Sequence, residues 1–287
     1  MVIGIASGKG GTGKTTVATN LAAALAEQDV LFLDCDVEEP NAHLFLKPRL
    51  TFREEIVLEV PEIDENRCDL CGKCREICRF NAIAVLPRLV MTFQELCHGC
   101  GGCFMVCPRQ AVLPAKRLIG HVEKGLCGSL RFVHGRLQVG EAMAPPLIRK
   151  VMECFDGKGL AIVDAPPGTS CPVIGVLRGC DYAVLVTEPT PFGLNDLKLA
   201  VGAVRILGLP MGIVINRSDM GDGSVRDYAA EERISILSEI PFDRQVAEVY
   251  ARGELPVNHL PGWKDAMEDL FVRICRGKHE DHSECRG

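Results

Sequence analysis

A doubly wound, mostly parallel α/β sheet interrupted by a small cysteine-rich insert is the fold class that this 287-residue sequence predicts. Three observations carry it. An apolar run, Val2–Ala6, leads into a glycine-rich turn and then a helical stretch. Short, almost unbroken apolar runs recur at Val30–Leu33, Gly159–Val163, Asp181–Thr187 and Met211–Ile215, as parallel strands covered on both faces require. Eight of the fifteen cysteines fall into two identical combs in the middle of the chain.

The first turn reads SGKGGTGKTT, and Gly8 through Gly13, Lys14 and Thr15 fit G-x4-G-K-[ST]. Glycines let backbone N–H groups face phosphates, and the following helix adds its dipole. The pattern therefore predicts a P-loop NTPase whose phosphates lie against Gly8, Gly10, Gly11, Thr12, Gly13, Lys14, Thr15 and Thr16. Lys14 is expected to reach the β/γ-phosphates, and the Thr15 hydroxyl to bind Mg²⁺. An amphipathic helix is expected from Val17 to a break at Gln28–Asp29. The next strand ends in DCDVEEPN, and strand ends in such sheets open onto the ligand crevice, so Asp34 and Asp36 can meet Mg²⁺ and water.

The insert is expected over 60–115, leaving 1–59 and 116–287 as the nucleotide-binding domain. Its combs both read C-x2-C-x2-C-x3-C, offset by 29 residues. Three thiolates on a tight loop cap one face of a cubane, and the fourth cysteine ligates the other cluster. Cys68, Cys71, Cys74 and Cys107 are thus expected to hold one [4Fe-4S] cluster. Cys97, Cys100, Cys103 and Cys78 are expected to hold the second. Zinc also binds paired CxxC, though zinc combs rarely run to four cysteines at this spacing. The repeat extends further, pairing Gly72 with Gly101, Ala82 with Ala111 and Ile83 with Val112. Residues 60–115 resemble the bacterial two-cluster ferredoxins. Arg79 departs from that pattern where Pro108 keeps it, so it is either a cation that raises a cluster potential or a plain surface residue. Residues 116–135, rich in glycine and basic side chains, read as an exposed connector or hairpin.

The strand Gly159–Val163 ends at Asp164 and is followed by APPGTS. A helix over Gly193–Leu207 joins the last two apolar strands, and Asn216 follows the second of them. Trp263, Met267, Leu270, Phe271 and Ile274 make a helical stripe whose polar face (Asp265, Glu268, Asp269) is not basic, which favours core packing over a membrane surface. The terminal CRGKHEDHSECRG contains Cys275, His279, His282 and Cys285; its spacing suits zinc or nickel, and its polarity predicts a loose tail.

Lysine directly before GGTGK, at Lys9, makes the loop similar to the deviant Walker A of MinD/ParA-superfamily ATPases, a group that includes the nitrogenase iron protein and the Mrp cluster carriers. The DCDVEEPN and DAPPGTSCPVI segments and both combs extend the likeness over nearly the whole chain. The resemblance implies catalytic roles for Lys9, acting across a dimer interface, and for Lys14 and Asp36, the last positioning the attacking water. It implies Mg²⁺ near Thr15, Asp36 and Asp164, Gly168 near the γ-phosphate, and ATP/ADP with adenine against Asn216 and Pro241. Phe242 is a further candidate. Partners implied are a second copy with ATP and a redox or metallocluster acceptor protein. A cysteine just beyond switch II ligates a shared cluster in the nitrogenase iron protein, so Cys171, with Cys127, is weighed as a third metal site. Cys35, Cys154 and Cys180 read as core.

A formal charge of −6, made more negative by about four if both clusters bind, argues against nucleic-acid binding. Apolar content of 47% suits a globular domain, and no run approaches the roughly 18 residues of a membrane span. Val2–Ala6 is too short for a signal peptide, so a reducing cytoplasm is expected. The expected function is nucleotide-gated electron transfer or metallocluster delivery. A positioning ATPase with redox-sensing clusters and a cluster assembly factor are the alternatives. No glutamine-hydrolysing domain is present for amidation.

Overall fold

The computed structural model describes residues 1–284, with side chains described to residue 278. Strand β1 (Val2–Ala6) feeds the glycine turn and helix α1 (Lys14–Ala24). Strand β2 (Val30–Asp34) follows, then α2 (Ala42–Leu46) and the long β3 (Arg49–Ile63). The cysteine segment comprises α3 (Lys73–Ile77), β4 (Ile83–Val85), β5 (Val90–Thr92), a 3-10 turn and α4 (Gly102–Val106). The chain returns through β6 (Val112–Cys127) and β7 (Leu130–Leu137) to α5 (Ala144–Met152) and β8 (Leu160–Asp164). The remainder is α6 (Cys171–Leu177), β9 (Tyr182–Thr187), α7 (Pro191–Ile206), β10 (Met211–Asn216), α8 (Ser224–Glu231) and β11 (Ile236–Ile240). Helices α9 (Arg244–Ala251), α10 (Pro256–His259) and α11 (Trp263–Glu284) close the described chain.

Nine strands form one sheet in the order β11-β10-β9-β1-β8-β2-β7-β6-β3. Neighbours from β11 to β7 pair in parallel, and β6 runs antiparallel to both β7 and β3. The fold is therefore a mostly parallel, doubly wound α/β sheet. β1 lies between β8 and β9, at the point where strand order reverses, and this is where such sheets bind ligands. One face packs α5, α6 and α7 against Leu33, Val163 and Leu185. The other packs α1, α10 and α11 against Ile5, Phe32 and Val184. Burial on both faces is what the unbroken Val/Ile/Leu strands demand, at about 1.5–3 kcal/mol for each fully buried large side chain.

Three expectations change. Helix α1 is buried nearly all round rather than amphipathic, because α2, α10 and α11 cover the side facing away from the sheet. Residues 116–135 do form a hairpin, β6–β7, but not an exposed one: β7 joins the central sheet beside β2, burying Phe132 against Phe32 with ring centroids 5.9 Å apart. The terminal segment continues α11 through Glu284 instead of fraying. Ile274 is fully buried there, and Lys278 lies 3.3 Å from Asp181, which tie that helix down. His279 and His282 fall beyond the described side chains, and Cys285 lies outside the described residues.

β3 and β6 outrun the rest of the sheet. Leu137, the last residue of β7, pairs with Gly120, which also faces Ile56. Beyond that level only 57–63 and 112–118 continue, as a two-stranded ladder leaving the carboxyl edge of the sheet with the cysteine segment at its tip. Val60 and Ala115 face each other in it. Arg53, Glu54 and Glu55 make the outer strand β3 strongly charged, which protects an exposed edge from further pairing.

Candidate functional site

Gly13 precedes α1 in the left-handed conformation, φ 89°, where a side chain would clash with the Asn216 amide. The first turn of α1 has no side-chain cap, so its amides remain donors for an anion. The Asn216 amide donates to the Thr12 carbonyl over 2.9 Å, tying the end of β10 to the loop. Gly168, after β8, donates to the Ser7 carbonyl over 2.9 Å and brings that turn against the loop as well. The Thr12 hydroxyl is buried without a hydrogen-bond partner, an orphan polar atom inside the loop.

Four charges meet behind the loop. The Lys14 ammonium hydrogen-bonds the Asp164 carboxylate, whose other oxygen accepts from the Thr15 hydroxyl at 2.6 Å. Asp36 lies 3.9 Å from the same ammonium. Asp34 is fully buried and accepts from the Asp36 and Ala42 backbone amides at 3.1 and 3.2 Å. Burial works to lower the Lys14 pKa, yet Asp164, Asp36 and Asp34 outweigh it and hold the amine firmly charged. Burial, then Asp164, pushes Asp34 well above the carboxylate range. The same two causes, opposed by Lys14, bring Asp36 up to about 6. Three carboxylates around one ammonium and one hydroxyl form a donor set suited to Mg²⁺, which takes oxygen ligands.

A cleft of about 380 Å³ opens beside the loop, within the usual ligand-pocket range of roughly 300–1,000 Å³. Gly11, Gly13, Thr16 and Asn216 line one side, and Pro241 and Phe242 another, so the sequence-predicted residues do come together. Arg217, Tyr250 and Trp263 complete the wall and were not expected from the sequence. Tyr250 and Trp263 lie far along the chain on α9 and α11, without a motif, and only the packing of those helices on α1 brings them here. Lys9 is half-buried in the loop, its carbonyl accepting from the Ser7 hydroxyl at 2.7 Å.

The cysteine segment repeats in three dimensions. α3 and α4 are offset by 29 residues, and both are preceded by a left-handed glycine, Gly72 at φ 79° and Gly101 at φ 74°. Cys68, Cys71, Cys74 and Cys107 line one cavity of about 20 Å³. Cys78, Cys97, Cys100 and Cys103 line another of about 20 Å³. The near-equal volumes match the repeat, and each comb contributes its fourth cysteine to the other's cavity. Burial pushes the Cys74 thiol up and the Cys103 thiol to about 11, so holding thiolates there needs adjacent positive charge, as a metal core supplies. Ala82 and Ala111 are buried beside the cavities, whereas Arg79 is exposed.

Cys171 and Cys127 are not brought together within the chain. Cys127 packs on the α1 face, while Cys171 lies exposed at the start of α6 on the opposite face. Cys35 is fully buried, and Cys154 and Cys180 pack partly buried against the core.

Residues 3–257 match the family model described as the CobQ/CobB/MinD/ParA nucleotide binding domain. The uncharacterized protein MJ0579 of Methanocaldococcus jannaschii is 30% identical over 278 residues, spanning 95% of this chain and 98% of its own. An iron-sulfur cluster carrier protein of Pyrococcus horikoshii is 27% identical over 263 residues, 86% of this chain and 75% of its own. The septum site-determining protein MinD complexed with Mg-ADP, from the same organism, matches the fold with a TM-score of 0.58 at 20% identity, covering 94% of this chain and 93% of its own.

Proposed function

Because the chain belongs to the CobQ/CobB/MinD/ParA nucleotide-binding family, we propose that it is an Mg²⁺-dependent ATPase that couples closure of a homodimer to electron or metallocluster delivery. Residues 1–59 and 116–287 form the ATPase domain, and residues 60–115 the ferredoxin-like module. One observation carries this reading. Both four-cysteine cavities sit on a ladder that leaves the sheet at its carboxyl edge, where the P-loop also opens.

In this scheme Lys14 neutralises the β/γ-phosphates, and Thr15, Asp36 and Asp164 surround Mg²⁺. Asp36 also orients the attacking water, and Lys9 reaches the nucleotide of the partner copy. Asn216 and Pro241 contact adenine. Cys68, Cys71, Cys74 and Cys107 hold one [4Fe-4S] cluster, and Cys97, Cys100, Cys103 and Cys78 the other. Bound there, the clusters supply one-electron chemistry.

Four cysteines saturate a cubane, which suits a resident electron carrier more than a cluster in transit. The carrier proteins among the relatives favour the second reading, in which a cluster is the cargo. No helix among the described residues is long and apolar enough to cross a membrane. We assign the protein to the cytoplasm, with a redox or metallocluster acceptor as partner and no role on nucleic acid.

Anaerobic incubation of the ⁵⁷Fe-loaded protein with its co-purified acceptor tests the proposal. ATP-dependent reduction of the acceptor without iron transfer supports electron delivery, and movement of ⁵⁷Fe supports the carrier reading. Co-sedimentation with DNA or lipid, with neither transfer, would point to a positioning ATPase.

A further inference from the structure

A continuous set of contacts joins the Asp36 segment to one of the two cavities. Val37, next to Asp36, accepts from the Leu137 amide at 2.9 Å. Leu137 ends β7 and leads into the loop 138–142, which faces Asp36, Glu38 and Glu39 across a cleft also walled by Pro166 and Pro167. Within that loop the Glu141 carboxylate accepts from the Ala142 and Met143 amides at 3.0 and 2.8 Å, so its position follows the loop. Arg117 on β6 binds this carboxylate, with Nε 3.0 Å from Oε2 and Nη2 donating to Oε1 at 3.3 Å. The same Nη2 donates to the Cys97 carbonyl at 3.1 Å.

Both charges of the pair are shielded. The Arg117 side chain is 12% exposed and that of Glu141 7%, and Arg117 Nη1 and Nε are buried without a hydrogen-bond partner, so Nε meets the carboxylate as an ion pair only. A buried ion pair has few equivalent arrangements, so displacing the loop must move the guanidinium or break its bonds. Surface pairs on the module, such as Asp69–Arg109, have no such restriction.

The two cavities also differ in height. Leu58, Val60 and Ala115 pack with Cys97 and Cys78, and Leu58 in turn touches the main core. Ile63 and Val112, the last pair of the ladder, pack with Cys74 and Cys107, in a cluster that Cys103 of the other cavity also joins. The cavity of Cys78, Cys97, Cys100 and Cys103 is proximal to the ATPase sheet, and that of Cys68, Cys71, Cys74 and Cys107 is distal.

We propose that Arg117 is a positioning residue that transmits the nucleotide state to the proximal cysteine site alone, through Glu141 and the Cys97 carbonyl, leaving the distal site free for exchange with a partner. This rests on the ATPase and iron–sulfur reading above. It goes beyond spatial adjacency, because it requires the 137–142 loop to have two positions that nucleotide selects between.

Amide hydrogen exchange on the full chain, with and without Mg²⁺ and a non-hydrolysable ATP analogue, tests it in metal-free and iron-loaded protein. Wild type is expected to change protection at the P-loop, at 137–142 and at 94–100, with no change at 64–72. In Arg117→Gln and in Glu141→Gln the 94–100 response is lost while P-loop protection is kept. Arg117→Lys keeps the charge but lacks the planar fork, and is expected to lose most of that response too. A 94–100 response that survives Arg117→Gln and Glu141→Gln, or equal responses at 64–72 and 94–100, overturns the proposal. A response with the expected pattern in protein that takes up no iron keeps the linkage and defeats the iron–sulfur reading instead.

Discussion

The Thr15 hydroxyl donates to Asp164 Oδ2 over 2.6 Å, and the adjacent Lys14 ammonium takes the other oxygen of that carboxylate. The first two residues of α1 and the last residue of β8 are thereby locked in one unit. Loop geometry and the charge of this carboxylate cluster are one arrangement here, and both depend on a single buried cation.

Lys14→Ala should therefore act twice. Nucleotide binding is expected to vanish, since the β/γ-phosphates lose their main cation. The fold is also expected to lose roughly 3 kcal/mol, the low end for breaking a buried pair, because the buried Asp164 carboxylate loses its cation while Thr15 still donates to it. Isothermal titration and urea denaturation, run on the same preparation, measure the two effects separately.

Asp36 gives a pH signature. Burial raises it to about 6, above its value of about 4 in the unfolded chain, so the folded state holds the proton more tightly. That contribution is fully present below pH 4 and is lost as pH rises through 6. Without Mg²⁺ or nucleotide, Asp36→Asn should match the parent at pH 4 and exceed it by about 1–2 kcal/mol at pH 8, after allowance for solvent screening. The Asn and Ala variants should bind ATP yet stay in the closed dimer, because Thr15 and Asp164 still surround Mg²⁺ while water activation is removed. Hydrolysis at the parent rate would show that Asp36 does not act on water.

Cross-ligation predicts that damage crosses between combs. Cys78→Ala should impair the cluster held mainly by Cys97, Cys100 and Cys103, and Cys107→Ala the one held by Cys68, Cys71 and Cys74. EPR of the reduced variants distinguishes the two, since each should keep the signal that the other loses. Loss of the same signal in both would refute the assignment.

Lys9→Ala should bind ATP but dimerise and hydrolyse poorly, by roughly 10³–10⁵ in rate if the lysine acts as an arginine finger does. Mixing it with Lys14→Ala chains should restore part of the activity, as Lys9 of the second chain serves the ATP of the first. Full activity in a monomeric Lys9→Ala protein would remove the interface role.

Much of this was legible in the sequence because the signals are local. The P-loop strand, the Asp34–Asp36 and Asp164 strand ends and the comb spacing each sit within a dozen residues. The failures are tertiary. Residues 116–135 read as an exposed connector or hairpin because glycine and basic side chains dilute their apolar pattern; the hairpin is there, yet Phe132 faces Phe32 and Leu130 is buried. Nothing in the Arg117 neighbourhood marks it, since its partners Glu141 and Cys97 are set by the β3–β6–β7 register. Tyr250 and Trp263 reach the nucleotide cleft only through the packing of α9 and α11.

Anaerobic purification followed by iron analysis and EPR, with and without Mg-ATP, bears most directly on the claim that nucleotide state governs iron–sulfur chemistry here. About eight irons per chain are expected, with two cubane signals on reduction. Mg-ATP should alter the signal assigned to Cys78, Cys97, Cys100 and Cys103, and should do nothing to Lys14→Ala. A colourless protein with stoichiometric zinc, or cubane spectra that Mg-ATP leaves unchanged in the wild type, would contradict the account.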